Sequence, residues 1–367
     1  MKNNDEKFIK KCFQLAKKGE GKTSPNPLVG AVLVDENNKI VSEGYHKGYG
    51  LPHAEVDCIN NYEKKYGKNA DYSKLTMYVN LEPCNHYGKT PPCADLIIKK
   101  KIKKVIIATL DPNKKHSGGA KKLKDAGIEV VTGILKDEAI KLNEIFFKNM
   151  NENKPFVALK TATTMDGKIS TKTGSSKWIT SEKSRKYVQK YRNKYDSILT
   201  SSSTVIADNP SLTARGKNYK NPTRVILDTT LKTNPDSKVY NDDGTKVMLF
   251  YCKAKNHTVK DYPKNVCLIK VKEKNGKIDL KDVINKLYET GINSVLLEAG
   301  GILNGAFLKE NLVDKIYHFV APKITGDKTA RSFVEGFDIS DINKCRNFEI
   351  STLKNLNPDI LIEYYPL

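Results

Sequence analysis

Little in this chain ties it to a membrane or to an oxidising compartment. None of its 367 residues falls in a run approaching the ~20 consecutive apolar side chains that cross a bilayer. The opening Met1-Lys2-Asn3-Asn4-Asp5-Glu6 lacks the charged-then-apolar plan of a signal peptide, so a cytoplasmic protein is expected. Seven cysteines, an odd number scattered from Cys12 to Cys345, read as thiols and not as a disulfide framework. Tryptophan occurs once, at position 178, and G-x-G-x-x-G is missing, which removes the Rossmann cofactor fingerprint. Arginine is scarce, supplying only six of the 63 basic residues.

What is abundant is lysine. The formal net charge of +21 invites a nucleic-acid reading, because a basic face attracts phosphate whatever the sequence. The lysines are spread along nearly the whole chain, however, as solvated faces would have them. The scarcity of arginine marks Arg192 and Arg215 as positions where a planar, bidentate fork is wanted for a phosphate or carboxylate.

The length favours two domains. Phe8, Ile9, Cys12, Phe13 and Leu15 recur at helical spacing, and strands are predicted over 28–34 and 39–45 with a polar turn between. Helix 53–65, strand 75–80, helix 93–101, strand 104–109, helix 119–126, strand 128–132 and helix 137–148 follow. Such alternation indicates an α/β sheet layered by helices. The polar stretch 150–155, ending in Pro155, is the best boundary, giving domains 1–149 and 150–367. Beyond it, strands are predicted over 156–163, 197–200, 224–227, 247–251, 266–271, 294–298, 315–320 and 360–365, with helices over 182–194, 280–290 and 305–310.

The most specific chemistry lies in His53-Ala54-Glu55 followed by Pro83-Cys84 and Cys93. One imidazole and two thiols leave the fourth position of a tetrahedral zinc open, as a catalytic site requires. His53 follows Pro52 and Cys93 follows Pro91-Pro92, so both open helices, whose N-termini favour thiolate over thiol. Glu55, two residues from a ligand, can carry protons to a leaving ammonia. The generic deaminase signature H-x-E…P-C-x-x-C has two residues between its cysteines, whereas eight stand here. His86 in that interval offers the alternative of a closed Cys2His2 structural site. Among enzymes, a base-flipping nucleic-acid deaminase also stays open on these residues alone, as does a basic binding protein with a structural zinc.

The stretch Leu81-Glu82-Pro83-Cys84-Asn85-His86-Tyr87-Gly88-Lys89-Thr90-Pro91-Pro92-Cys93 resembles the bifunctional riboflavin-biosynthesis deaminase/reductase family, called RibD or RibG, which carries this longer loop. Residues 24–32 and 50–55 are similar to it as well, and the resemblance spans essentially the whole chain. It implies a cytidine-deaminase-like three-layer α/β/α domain and a dihydrofolate-reductase-like α/β domain. It also implies Zn2+ and NADPH as cofactors, a phosphoribosylated diaminopyrimidinone as substrate, no nucleic acid partner and a homo-oligomer. Asn26 and His46 would help line the deaminase pocket, Lys89 would meet the substrate phosphate, and Asp111 and Asn113 its ribose end. In the second half, residues 160–168, 176–180 and 204–215 are similar to the family's reductase domain. There Ala162, Trp178, Thr204, Asp208, Thr229 and the loop Gly300, Gly301, Ile302, Leu303, Asn304, Gly305 and Ala306 would contact the cofactor. Ser176, Arg192, Leu212, Arg215 and Glu298 would contact the substrate. Independently of the family, glycines between an apolar strand and a helix let backbone N–H groups approach a phosphate.

Overall fold

The computed structural model describes residues 2–87 and 91–367. The chain divides into two compact units, Met1–Asn153 and Lys154–Leu367.

The first unit runs α1 (Lys2–Ala16), β1 (Gly30–Val34), β2 (Ile40–Tyr45), α2 (Ala54–Tyr66), β3 (Thr76–Val79), α3 (Cys93–Lys99), β4 (Lys104–Ile107), α4 (Gly119–Asp125), β5 (Glu129–Thr132), α5 (Lys136–Leu142) and α6 (Glu144–Glu152). Its five strands lie in the order β2-β1-β3-β4-β5. β1 is antiparallel to both β2 and β3, and β3, β4 and β5 are parallel. Because successive strand side chains point to opposite faces, the sheet has two cores. Ala31, Leu33, Met77, Val79, Val105 and Ile107 pack on α2, α3 and α4. Val32, Val34, Tyr78 and Ile106 pack on α1 and α5. The unit is therefore a three-layer α/β/α sandwich.

The second unit runs β6 (Phe156–Thr164), α7 (Glu182–Lys194), β7 (Ser197–Ser201), α8 (Ser202–Asp208), β8 (Thr223–Leu227), β9 (Val247–Tyr251), β10 (Val266–Lys270), β11 (Glu273–Lys274), β12 (Lys277–Ile278), α9 (Leu280–Glu289), β13 (Ser294–Leu297), α10 (Gly301–Lys309), β14 (Lys315–Ala321), β15 (Phe348–Asn355) and β16 (Ile360–Pro366). Nine strands form one sheet in the order β10-β9-β8-β7-β13-β6-β14-β16-β15, with β11 and β12 a separate hairpin. The stretch from β10 to β14 is parallel, and β16 and β15 add antiparallel edges. A parallel sheet must be covered on both faces, and this one is. Leu159, Leu199, Val225 and Leu297 meet α9 and α10 on one side, while Ile198, Ile226 and Leu249 meet Val205, Val239 and Tyr240 on the other.

Several elements differ from the sequence expectation. The helix predicted over 137–148 is broken at Asn143, whose Oδ1 accepts from the Leu28 backbone N–H at 2.7 Å while its Nδ2 donates to the Leu28 carbonyl at 3.0 Å. α6 then runs through position 150 and ends at Asn153, which takes φ 54 just before Lys154-Pro155. Short-side-chain asparagine is among the few residues at ease there. α10 starts at Gly301 instead of 305, and α8 and β15 were not anticipated.

Candidate functional site

In the first unit the site is built from two helix starts and one loop. His53 is the N-cap of α2, with φ −67 and ψ 163, and Glu55 falls in that helix's first turn, 3% exposed. Cys93 is the first residue of α3 after Pro92 and is buried. Cys84 follows β3 in a loop, where its Sγ accepts from the Cys93 backbone N–H at 3.4 Å and its carbonyl accepts from Ala94 at 3.2 Å. His53 Nδ1 lies 3.6 Å from Cys84 Sγ and 3.4 Å from Cys93 Sγ, and the three donor atoms are all within 4.8 Å of one another. Zinc bonds of ~2.0–2.1 Å to nitrogen and ~2.3 Å to sulfur at tetrahedral angles put nitrogen and sulfur about 3.6 Å apart. The donor set therefore fits zinc in type and spacing. The Cys93 thiol and backbone N–H donate to Cys84, which, with His53 beside it, holds the Cys84 thiol well below its ordinary value against the opposing effect of burial. Burial pushes Glu55 up to about 7, although the charge of His53 pulls the other way.

His86 is not part of the cluster found among the described residues; it stacks on His116 instead, with ring centroids 3.7 Å apart and planes 4° from parallel. Beside this cluster, His46 takes its two ring nitrogens to the Pro52 carbonyl (3.0 Å) and to Asn26 Nδ2 (3.1 Å), and its ring packs edge-on against His53 at 5.5 Å. Asp111 accepts from the Asn113 backbone N–H at 2.8 Å, and burial raises its carboxyl to about 6. Asn113 Oδ1 accepts from Lys115 N–H at 3.1 Å, so its Nδ2 donates to His116 Nδ1 at 3.3 Å. Lys89 lies outside the described residues.

One residue of this site escaped the sequence reading. Glu82 is 6% exposed, and its carboxylate accepts from the backbone N–H groups of Gly118 (3.1 Å), Ala120 (2.9 Å) and Asp111 (3.0 Å). It thereby ties the loop carrying Asp111, Asn113 and His116 to the loop carrying Cys84. Its place two residues before Cys84 was the available signal.

In the second unit a cavity of about 1200 Å³ opens at the carboxyl ends of β6, β7, β8 and β13. Open parallel sheets bind ligands at that edge. Of the expected cofactor contacts, Ala162, Thr204, Asp208 and Thr229 line it, as do Gly300, Gly301, Ile302, Leu303 and Ala306. Of the expected substrate contacts, Ser176, Arg192, Leu212 and Glu298 line it too. Four residues sit elsewhere. Trp178 is 62% exposed and stacks on the Arg185 guanidinium, 4.3 Å from its ring centroid. Asn304 is fully buried and donates to the Ala299 and Phe333 carbonyls. A Cβ on Gly305 would stand 1.8 Å from the Glu335 carbonyl oxygen, so that glycine serves close packing. Arg215 is exposed, its backbone N–H donating to Gln189.

The charged floor of the cavity is the bidentate pair Arg192–Glu298, at 2.9 and 3.0 Å, with Lys160 Nζ 2.8 Å from the same carboxylate. Arg192 Nη1 also donates to the Thr213 carbonyl at 3.0 Å. Burial alone would raise Glu298; the charges of Arg192 and Lys160 overcome it and hold the carboxyl at about 2. Lys160 was not singled out in the sequence, since a lysine ending an apolar run looks like any other in a lysine-rich chain. Above this floor α10 begins at Gly301 with no side-chain cap, and a Cβ on Gly300 would meet nothing within 4 Å. Its uncapped N–H groups suit an anion such as a pyrophosphate.

Two family models divide the chain between them. The cytidine and deoxycytidylate deaminase zinc-binding region matches residues 2–109, and the RibD C-terminal domain matches residues 155–362. Fold and sites thus define a zinc-dependent deaminase joined in one chain to a reductase. The riboflavin biosynthesis protein RibD of Aquifex aeolicus is 42% identical, over 98% of this chain and 97% of its own length. That of Actinobacillus pleuropneumoniae is 40% identical, over 98% and 95%. The crystal structure of a diaminohydroxyphosphoribosylaminopyrimidine deaminase/5-amino-6-(5-phosphoribosylamino)uracil reductase from Thermotoga maritima is 38% identical, with a TM-score of 0.88 covering 100% of this chain and 99% of that one. The chain belongs to the RibD family, the bifunctional deaminase/reductases of riboflavin biosynthesis.

Proposed function

We propose that the first unit hydrolytically deaminates 2,5-diamino-6-(5-phosphoribosylamino)pyrimidin-4(3H)-one and that the second reduces the ribosyl group of the product with NADPH, giving 5-amino-6-(5-phosphoribitylamino)uracil. The observation that carries this reading is the convergence of His53 Nδ1, Cys84 Sγ and Cys93 Sγ within 4.8 Å at the starts of two helices.

His53, Cys84 and Cys93 would hold zinc, which would supply Lewis-acid activation of water. Glu55 takes a proton from the attacking water on its carboxylate and delivers it to the leaving amine nitrogen. Asn26 contacts the pyrimidine, with His46 beside it, while Asp111 and Asn113 face the ribose end, held in place by Glu82; Lys89 meets the phosphate. In the second unit NADPH, when bound, supplies a hydride to the sugar carbon. The start of α10 would hold its pyrophosphate, and Ala162, Thr204, Asp208 and Thr229 would contact the cofactor. Ser176, Leu212, Glu298 and Arg192 hold the substrate. Three of the five guanidinium N–H groups of Arg192 are spent on Glu298 and Thr213, leaving two for the substrate phosphate. By the family resemblance Trp178, Asn304 and Gly305 would contact the cofactor and Arg215 the substrate.

The domain boundary falls at 149/150 in this reading, within α6, close to the break between the compact units. The protein acts in the cytoplasm as a homo-oligomer, a reading supported by β15, an edge strand exposing Ile350 (57%) and Leu353 (64%). Light scattering after gel filtration measures the assembly.

The function is tested with the purified, zinc-loaded protein and the diaminopyrimidinone phosphate, with and without NADPH, following ammonia and NADPH separately. Ammonia release without NADPH, and NADPH oxidation only after deamination, are expected. NADPH oxidation without prior ammonia release would overturn the assignment.

A further inference from the structure

Beyond β8 the chain makes a loop, residues 228–233, that is held from within. Asp228 is fully buried, and its Oδ2 accepts from the Thr233 backbone N–H and from the Thr233 hydroxyl, both at 2.8 Å. The Tyr240 hydroxyl lies 2.6 Å from that of Thr233, and the Tyr262 hydroxyl donates to the Thr233 carbonyl at 3.2 Å. Leu231, buried in the cluster of Val239 and Tyr240, takes φ 54, a left-handed conformation that bulky side chains avoid. Such strain persists only where its surroundings over-determine it, and it gathers at ligand sites. With Leu231 and Thr233 both buried, Lys232 between them is exposed, and it lines the cavity, as Thr229 does.

A second cation reaches this cavity from the hairpin of β11 and β12, where Lys274 and Lys277 stand directly opposite each other. Like charges so placed repel. Lys274 is drawn aside by Glu310, whose Oε1 accepts from its Nζ at 3.0 Å. Lys277 and Lys232 have no carboxylate partner among the described residues. The floor of Lys160, Arg192 and Glu298 belongs to β6, α7 and the end of β13, so these two cations form a separate group.

Strand order gives the scale. α10, whose uncapped start suits a pyrophosphate, follows β13; the loop carrying Lys232 follows β8; β7 alone lies between those two strands. Two strand spacings of ~4.8 Å place the loops roughly 10 Å apart. A ribose and the stem of a lysine together span that interval.

We propose that Lys232 and Lys277 hold the phosphate on the adenosine ribose that NADPH carries and NADH lacks, and so set the cofactor preference of the second unit. The proposal rests on the reductase reading above and deepens it. A phosphate monoester bears a charge of about −2 near neutral pH, which two ammonium groups match. NADH brings a neutral hydroxyl to the same place and leaves both cations unmatched. The strained loop thereby has a purpose, since it fixes the backbone from which Lys232 reaches into the cavity.

The test uses the full-length protein and equilibrium binding by isothermal titration calorimetry. Wild type is expected to bind NADPH about 100-fold more tightly than NADH, the gain of two charge-assisted hydrogen bonds. Lys232→Met and Lys277→Met keep most of the stem and remove the charge. Each should lower the ratio of NADPH to NADH affinity about 10-fold, and the two together should bring it close to one. Adenosine 2′,5′-bisphosphate should displace NADPH from wild type far better than adenosine 5′-phosphate does, and lose that advantage in the double variant. Equal binding of NADPH and NADH by wild type overturns the proposal, and so does an unchanged ratio in the variants. Should a variant lose its fold, the wild-type ratio and the competition between the two adenosine phosphates still decide. Binding of neither dinucleotide overturns the proposal together with the reductase reading.

Discussion

Glu55 and Glu298 are both largely withdrawn from water, and their surroundings push them in opposite directions. Glu55 has burial as its dominant influence and rises to about 7, whereas Glu298 sits between two cations and falls to about 2. Glu55→Gln keeps shape and polarity while removing the titratable oxygen. Ammonia release is expected to drop about 10³-fold, within the range attributed to general acid–base catalysis, with zinc content unchanged by elemental analysis; near-normal turnover would rule out Glu55 as the proton carrier. For Glu298 the effect is on stability. Its folded value lies below the ordinary 4.5, so its contribution is fully present above pH 4.5 and is lost as pH falls toward 2. With its side chain 9% exposed, that shift corresponds to about 3 kcal/mol. Denaturant unfolding of the second unit, followed by the chain's one tryptophan, should weaken by that order between pH 5 and 2, and Glu298→Gln should remove this part of the pH dependence. At this scale the sequence showed what chemistry restricts. Few residue types ligate zinc, so His53, Cys84 and Cys93 stood out. Glu82 and Lys160 did not, because their roles depend on partners at Gly118, Ala120 and Glu298 that only folding brings near.

Elements were legible where one face is apolar and the ends are marked. β1, β3 and β4 bury alternating residues in two cores, α9 keeps Leu280, Val283, Ile284 and Leu287 on one side, and the prolines before Cys93 announce α3. β15 gave no such signal, since among the described residues it pairs with β16 alone and most of its residues face solvent. The break between α5 and α6 was equally hidden, because Asn143 pairs with Leu28, far away in sequence. α4 shows how an element's register can override propensity. Alanine is ordinarily better than glycine in a helix by about 1 kcal/mol, but a Cβ on Gly119 would stand 1.8 Å from the Pro83 carbonyl oxygen. Gly119→Ala should therefore lower the melting temperature of the first unit and loosen zinc by disturbing the Cys84 loop. A melting temperature equal to or above wild type would show that the helix can shift away.

At the scale of the whole molecule, two chemistries share one chain, and its compact units divide after Asn153, inside the polar stretch 150–155 from which a boundary at 149/150 was expected. Zinc removal separates the two activities. A chelator should stop ammonia release and, with the diaminopyrimidinone as sole substrate, NADPH oxidation as well. NADPH oxidation on supplied deaminated product should persist, and its loss would show that the second unit also depends on the metal. The lysine surplus, though it gives the chain its charge of +21, says little about function, whereas the floor of the reductase cavity says more. Lys160, Arg192 and Glu298 carry two positive charges and one negative, leaving one positive charge uncancelled in a partly enclosed space. Such a site is an ion trap as well as a binding pocket: inorganic sulfate or phosphate should compete with the ribosyl phosphate for it, so that the choice of buffer anion sets the apparent KM of the reduction and leaves its kcat alone.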